Sequence, residues 1–110
     1  MDENAVYIVQ FWVDPDEGHK VIDWLKRTHL ADVAGQPGFL WARMFELEQT
    51  DEDGWPAYMM TYGLESREAL DAYFESDAPR RYARERSDLD LDRLIRANRF
   101  FGKVARRIGS

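Results

Sequence analysis

The stretch from Asp23 to Glu48, DWLKRTHLADVAGQPGFLWARMFELE, constrains the fold most, because it holds a helix end, a turn and the clearest strand in one piece. Ile22, Leu25, His29 and Val33 recur at helical spacing, so at about 100° per residue they share one helical face. A titratable imidazole is therefore predicted inside a core-facing stripe. Gly35 closes the helix, and Gln36-Pro37-Gly38 supplies turn chemistry before the next strand.

Around this piece the chain reads in order. Residues 1 to 4 form a flexible polar tail, and Ala5 to Val13 alternates as a strand with Tyr7, Val9, Phe11 and Val13 on one face and Val6, Ile8, Gln10 and Trp12 on the other. Asp14 is predicted to cap a helix that begins at Pro15 and runs to about Val33. Phe39 to Leu47 is the second strand, with Phe39, Trp41, Arg43, Phe45 and Leu47 on one side and Leu40, Ala42, Met44 and Glu46 on the other. Gln49 to Gly54 is a hairpin loop, and Trp55 to Leu64 returns as a third strand. Ser66 caps a second helix, Asp77-Ala78-Pro79 opens another through about Arg86, and Asn98 to Ile108 is the last strand. The segment from Ser87 to Ala97 fits a loop or a helical turn equally well.

The order strand, helix, strand, strand, helix, strand is the split βαβ pattern of a ferredoxin-like α+β sandwich with a four-stranded antiparallel sheet. Helices cover one face of such a sheet. The other face is also apolar here, so it calls for a partner, and a second copy related by two-fold symmetry is the simplest. At 110 residues the chain is read as one domain, 1 to 110, for which burying further surface in a homodimer helps materially.

Composition removes several classes of function. Hydrophobic residues make up 45% and aromatics 14%, which excludes a disordered chain. Without cysteine there are no disulfides, thiolate metal sites or Cys nucleophiles, and the cytoplasm is the expected compartment. The N-terminal residues lack the basic and apolar regions of an export signal, and no run reaches the roughly 20 apolar residues of a membrane span. The net charge of -6 divides unevenly: residues 1 to 79 carry 5 basic and 17 acidic side chains, residues 80 to 110 carry 10 and 4. Charge complementarity on solvated faces accounts for this, and an anion site at Arg80, Arg81, Arg84 and Arg86 is the sharper alternative. A nucleic-acid partner is not expected from an acidic domain that has no recognition signature. Two histidines ten residues apart in one helix cannot share a metal ion, and no glycine-rich phosphate loop or catalytic triad pattern is present. No cofactor or metal is called for.

The chain resembles the dimeric α/β-barrel superfamily, which includes cofactor-independent antibiotic-biosynthesis monooxygenases, polyketide cyclases, haem-degrading enzymes and muconolactone isomerases. Within it, the chain looks most like an uncharacterised bacterial family with a Trp-x4-His-[Leu or Ile] element followed by Gly and Phe, here Trp24, His29, Leu30, Gly38 and Phe39. The resemblance in element order runs from about Ala5 to Ile108. It implies a homodimer and a cavity between the sheet and the helices of each protomer, close to His29. Haem-degrading members use a proximal His with an Asn and a Trp; His19 and His29 are not matched to that set, which leaves haem as a minor alternative.

His29 is the candidate catalytic residue, as a general base on a phenolic or α-carbonyl proton, with a packed core histidine as its bland counterpart. Tyr7, Tyr58, Tyr62 and Tyr73 are candidates for holding a substrate carbonyl, and Trp12, Trp24 and Trp41 for stacking on an aromatic ring, with plain packing as the alternative for each. Arg43 interrupts an apolar strand face, so it either pairs with Glu46 or Glu48 or binds an anionic substrate group. Two functions follow: a cofactor-independent enzyme on an aromatic or polyketide-like molecule, or a non-catalytic binding or interaction module.

Overall fold

The computed structural model describes residues 2–109. The elements are β1 (Ala5–Val13), α1 (His19–Trp24), a π-helical turn (Leu25–His29), α2 (Leu30–Ala34), β2 (Phe39–Thr50), β3 (Pro56–Leu64), α3 (Arg67–Glu75), α4 (Ala78–Asp88), a 3-10 turn (Asp92–Leu94) and β4 (Ile95–Lys103). The strands form one antiparallel sheet in the order β2-β3-β1-β4, the predicted α+β ferredoxin-like sandwich. Among the described residues no helix is long and apolar enough to cross a membrane.

β1 buries every second residue, from Ala5 through Tyr7, Val9 and Phe11 to Val13, and this face receives the helices. Register extends the face sideways, with Tyr7 opposite Tyr62 on β3 and Phe101 on β4, and Val9 opposite Met60 and Arg99. Ser66 caps α3 as predicted, its hydroxyl accepting from the Ala69 amide at 3.1 Å. Asn4, placed in the tail by its polarity, instead donates its amide to the Leu64 carbonyl and accepts from the Val104 amide.

Four boundaries differ from the sequence reading, each for a local reason. Pro15 to Gly18 form a turn and not the first turn of the helix. Asp14 accepts amide bonds from Asp16 and Glu17 at 2.8 Å each, which favours a turn over a helix at that point. The second strand has an irregularity between Phe39 and Trp41, which puts Phe39 on the helix side with Ala42 and Met44 and turns Trp41, Arg43 and Phe45 outward. It also runs on to Thr50, so the hairpin loop is shorter than expected. The last strand begins at Ile95 and ends at Lys103, because the ambiguous segment ends in a 3-10 turn that buries Leu91 and Leu94.

The π turn decides where His29 lies. Upstream of it the buried residues are Val21, Trp24 and Leu25, a face that a regular α-helix would continue through Thr28 and Asp32. The wide turn, closed by the Leu30 amide on the Leu25 carbonyl, delays that face by one residue. Thr28 and Asp32 are therefore exposed, while Val33 is fully buried and His29 is half-buried against the sheet.

The outer face of the sheet carries Val6, Ile8, Trp12 and Met59 with Phe45 and Phe100, the last two 45% and 49% exposed. Trp41 lies flat on Gly63 there, where a Cβ would come within 2.2 Å of the indole. The uneven charge distribution resolves into exposed ion pairs between the two segments, Arg93 with Glu17 and Arg96 with Asp51 and Asp53.

Candidate functional site

A cavity of about 210 Å³ opens between the helix face of the sheet and the helices α1, α3 and α4. His29 forms part of its wall. Its ring stacks on Trp24 with centroids 4.5 Å apart and planes at 21°, and meets Tyr82 edge-on at 4.8 Å. The Trp24 indole is fixed in turn by a 2.7 Å hydrogen bond to Glu85 Oε1, and the Tyr82 hydroxyl accepts from Gln36 at 3.0 Å. The ring planes are thus set by bonds from α4 and from the turn after α2.

His29 Nδ1 is buried and has no hydrogen-bond partner. Burial, reinforced by the Arg86 and Arg99 guanidinium charges, lowers the imidazole pKa from 6.5 to about 4. At neutral pH the ring is uncharged and has a free lone pair. Its affinity for a proton is also reduced, by roughly 3 kcal/mol relative to imidazole in water. An anion bound nearby would restore part of that affinity, because the same charges that oppose imidazolium would then be offset.

Tyrosine hydroxyls form the floor. Tyr7 and Tyr62 stack at 5.6 Å, and Tyr62 donates weakly to Met60 Sδ at 3.6 Å. Burial raises the pKa of Tyr7, Tyr62 and Tyr73, so all three remain protonated donors. Arg99 Nε donates to the Tyr7 hydroxyl at 3.1 Å, which leaves that hydroxyl's own proton free.

Of the residues singled out in the sequence, His29, Tyr7, Trp24, Tyr62 and Tyr73 meet in this cavity. The others lie elsewhere, Trp12 on the outer face of the sheet with Val6 and Ile8. Tyr58 is on the helix side of the sheet but stacks on Phe11 at 5.4 Å, outside the cavity. Trp41 and Arg43 are on the opposite face, where the Arg43 guanidinium lies 4.2 Å over the Trp41 ring; it pairs with neither Glu46 nor Glu48. Tyr82 and Arg99 also line the cavity and were not read as site residues, and Arg86 lines it too, the one member of the alternative four-arginine anion site that does. Arg86 was legible only as one of a basic cluster, and Arg99 only as a polar residue on a strand face with Phe101 and Lys103. No group of three or more potential metal ligands occurs among the described residues.

A four-stranded antiparallel sheet with helices on one face and an aromatic cavity beneath them defines a ferredoxin-like α+β domain. Over 96% of this chain it superposes on SnoaB, a cofactor-independent oxygenase from Streptomyces nogalater, covering 96% of that chain at 20% identity and a TM-score of 0.64. It is similar to a dimeric ferredoxin-like protein from an uncultured marine organism (13% identity, 98% and 100% coverage, TM-score 0.71). It is also similar to the heme-degrader MhuD from Mycobacterium tuberculosis, whose structure has two hemes in its active site (21% identity, 96% and 99% coverage, TM-score 0.68). At these identities the likeness is one of fold. Residues 4–86 match the family described as a domain of unknown function, DUF4286, and the chain belongs to that family. No curated protein matches the sequence.

Proposed function

We propose that the protein binds a small aromatic or polyketide-like molecule in this cavity and acts on it without a cofactor, in monooxygenase- or cyclase-type chemistry. The observation that carries the reading is an uncharged imidazole beside tyrosine hydroxyls and two guanidiniums in an aromatic-walled cavity. His29 takes an acidic C–H or O–H proton from the bound molecule, and the electron pair stays on the substrate as an enolate or phenolate. Tyr7 and Tyr62 donate toward that oxyanion, and Trp24 supports the ring. Pockets that enclose drug-sized ligands measure about 300 to 1,000 Å³. At about 210 Å³ this one suits a molecule of one or two rings. Haem does not fit: the volume is too small for a porphyrin, and His29 is wedged between Trp24 and Tyr82.

The apolar outer face supports a homodimer through the sheet, and sedimentation of the purified protein at twice the monomer mass is the expected result; a monomer at micromolar concentration would refute it.

The lowered basicity of His29 and its stacking favour a second reading, a cytoplasmic binding module that holds such a molecule without turnover. One experiment separates the two. Dihydroxynaphthalenes and small β-diketones are titrated while Trp fluorescence reports binding, and oxygen uptake and product absorbance report turnover. The enzyme reading expects both signals, with turnover reduced at least tenfold in His29→Gln while binding persists. Binding with no turnover supports the module, and the absence of both overturns the cavity as a ligand site.

A further inference from the structure

We infer that the molecule held beside His29 is a small aromatic carboxylate, with its anionic group seated on Arg99 and Arg86. The inference rests on the reading of this cavity as a ligand site and adds a chemical class to it.

The lining has two guanidiniums and no carboxylate. Arg86 Nε is bonded to Asp92 at 2.6 Å on the solvent side, and Asp92 is itself half exposed and outside the cavity. Arg99 forms no ion pair among the described residues; its Nε bonds the Tyr7 hydroxyl, and its terminal nitrogens have no protein partner there. Arg99 is exposed and Arg86 half-buried, so both charges stay in reach of solvent where they line the cavity, and the planar fork of a guanidinium matches the two oxygens of a carboxylate.

The other polar groups agree in sign. The free Tyr7 proton and the protonated Tyr73 hydroxyl are further donors, so the lining offers several donors and no carboxylate acceptor. An electron-rich, acceptor-bearing ligand satisfies that imbalance. The rest of the wall is apolar, with Trp24, Tyr62, Phe74 and Tyr82 among aliphatic side chains, which suits a flat ring and not a hydrated anion such as free phosphate. Arg99 and Arg86 come from β4 and α4, so both arms reach the ligand from the side facing solvent.

The test compares isosteric acid and amide probes: benzoate against benzamide, and naphthoate against naphthamide, followed by Trp fluorescence and the His29 ring signals in NMR. The acids are expected to bind at least about tenfold tighter than the amides, which is ~1.4 kcal/mol. Arg99→Gln removes that preference and leaves amide binding unchanged, whereas Arg81→Gln, on the exposed side of α4, leaves the preference intact. Arg86→Gln serves in the same role if the β4 variant is poorly folded. Equal binding of acid and amide to the wild-type protein overturns the carboxylate inference but leaves the cavity reading standing. If no probe of either kind perturbs Trp24 or His29, the cavity reading fails and the inference fails with it.

Discussion

Gly38→Ala is expected to lower unfolding free energy by about 3 kcal/mol, combining roughly 1 to 3 for a side chain held at positive φ with a similar range for overpacking. Gly38 has φ +82°, and an added Cβ would be 2.4 Å from the Ala69 Cβ on α3. Neither contact can relax cheaply. The Gly38 carbonyl accepts the Glu65 amide at 2.9 Å, so the turn is tied to the end of β3, and Ala69 lies on the helix turn capped by Ser66. Gly54 provides the control. Its φ is +81°, but an added Cβ would meet nothing within 4 Å, so Gly54→Ala is expected to cost only about 1 kcal/mol of backbone strain. Denaturant midpoints at unchanged slope measure both. If the two variants lose equal stability, the packing of α3 against this turn is not as described.

The order of elements was legible because alternation and capping residues agree with each other along most of the chain. Ser66 and Pro79 mark helix starts by chemistry that needs no tertiary context. The irregularity at the start of β2 was not legible, since FLWARMF is apolar at both parities and either register satisfies the pattern. The π turn was also hidden: LKRTH consists of ordinary helix residues, and only the burial of Val33 and the exposure of Thr28 reveal it. Leu91 and Leu94 are buried by packing that the surrounding Asp and Arg residues conceal, which displaced the start of β4.

The site followed the same rule. His29 and Trp24 share one helix, so their spacing exposed them, whereas Arg86 and Arg99 reach the cavity from α4 and β4 and meet only in the fold. Arg43 and Arg99 are both arginines inside strands, Arg43 among apolar neighbours on its face and Arg99 on a face shared with Phe101 and Lys103, and neither pattern says which side of the sheet the side chain takes. Only the sheet registers separate them: Arg43 pairs opposite Thr61 on the outer face and Arg99 opposite Val9 on the inner one.

His29→Gln is expected to flatten the acid limb of the stability profile. The folded-state pKa of His29, about 4, lies below the 6.5 of the unfolded chain, so between these values the unfolded state binds a proton that the folded state excludes. Stability is therefore complete above 6.5 and falls as pH drops toward 4, by up to roughly 3 kcal/mol from this group, with no further loss from it below. Carboxylates titrate in the lower part of the same window, and they do so in both proteins, so the difference between the wild-type and His29→Gln curves isolates the imidazole. A difference that grows as pH falls from 6.5 is the expected result; parallel curves would mean that the folded imidazole accepts protons as readily as the unfolded one. The same linkage ties this measurement to the site. If a carboxylate on Arg99 and Arg86 offsets their charge, it raises the His29 pKa, and by reciprocity protonation of His29 tightens carboxylate binding by the same factor. Saturating benzoate should then reduce the acid loss of stability in the wild-type protein and leave the His29→Gln profile with no such change in shape. His29, Arg86 and Arg99 would in that case form one electrostatic unit whose neutral imidazole regains basicity only when the anion is in place.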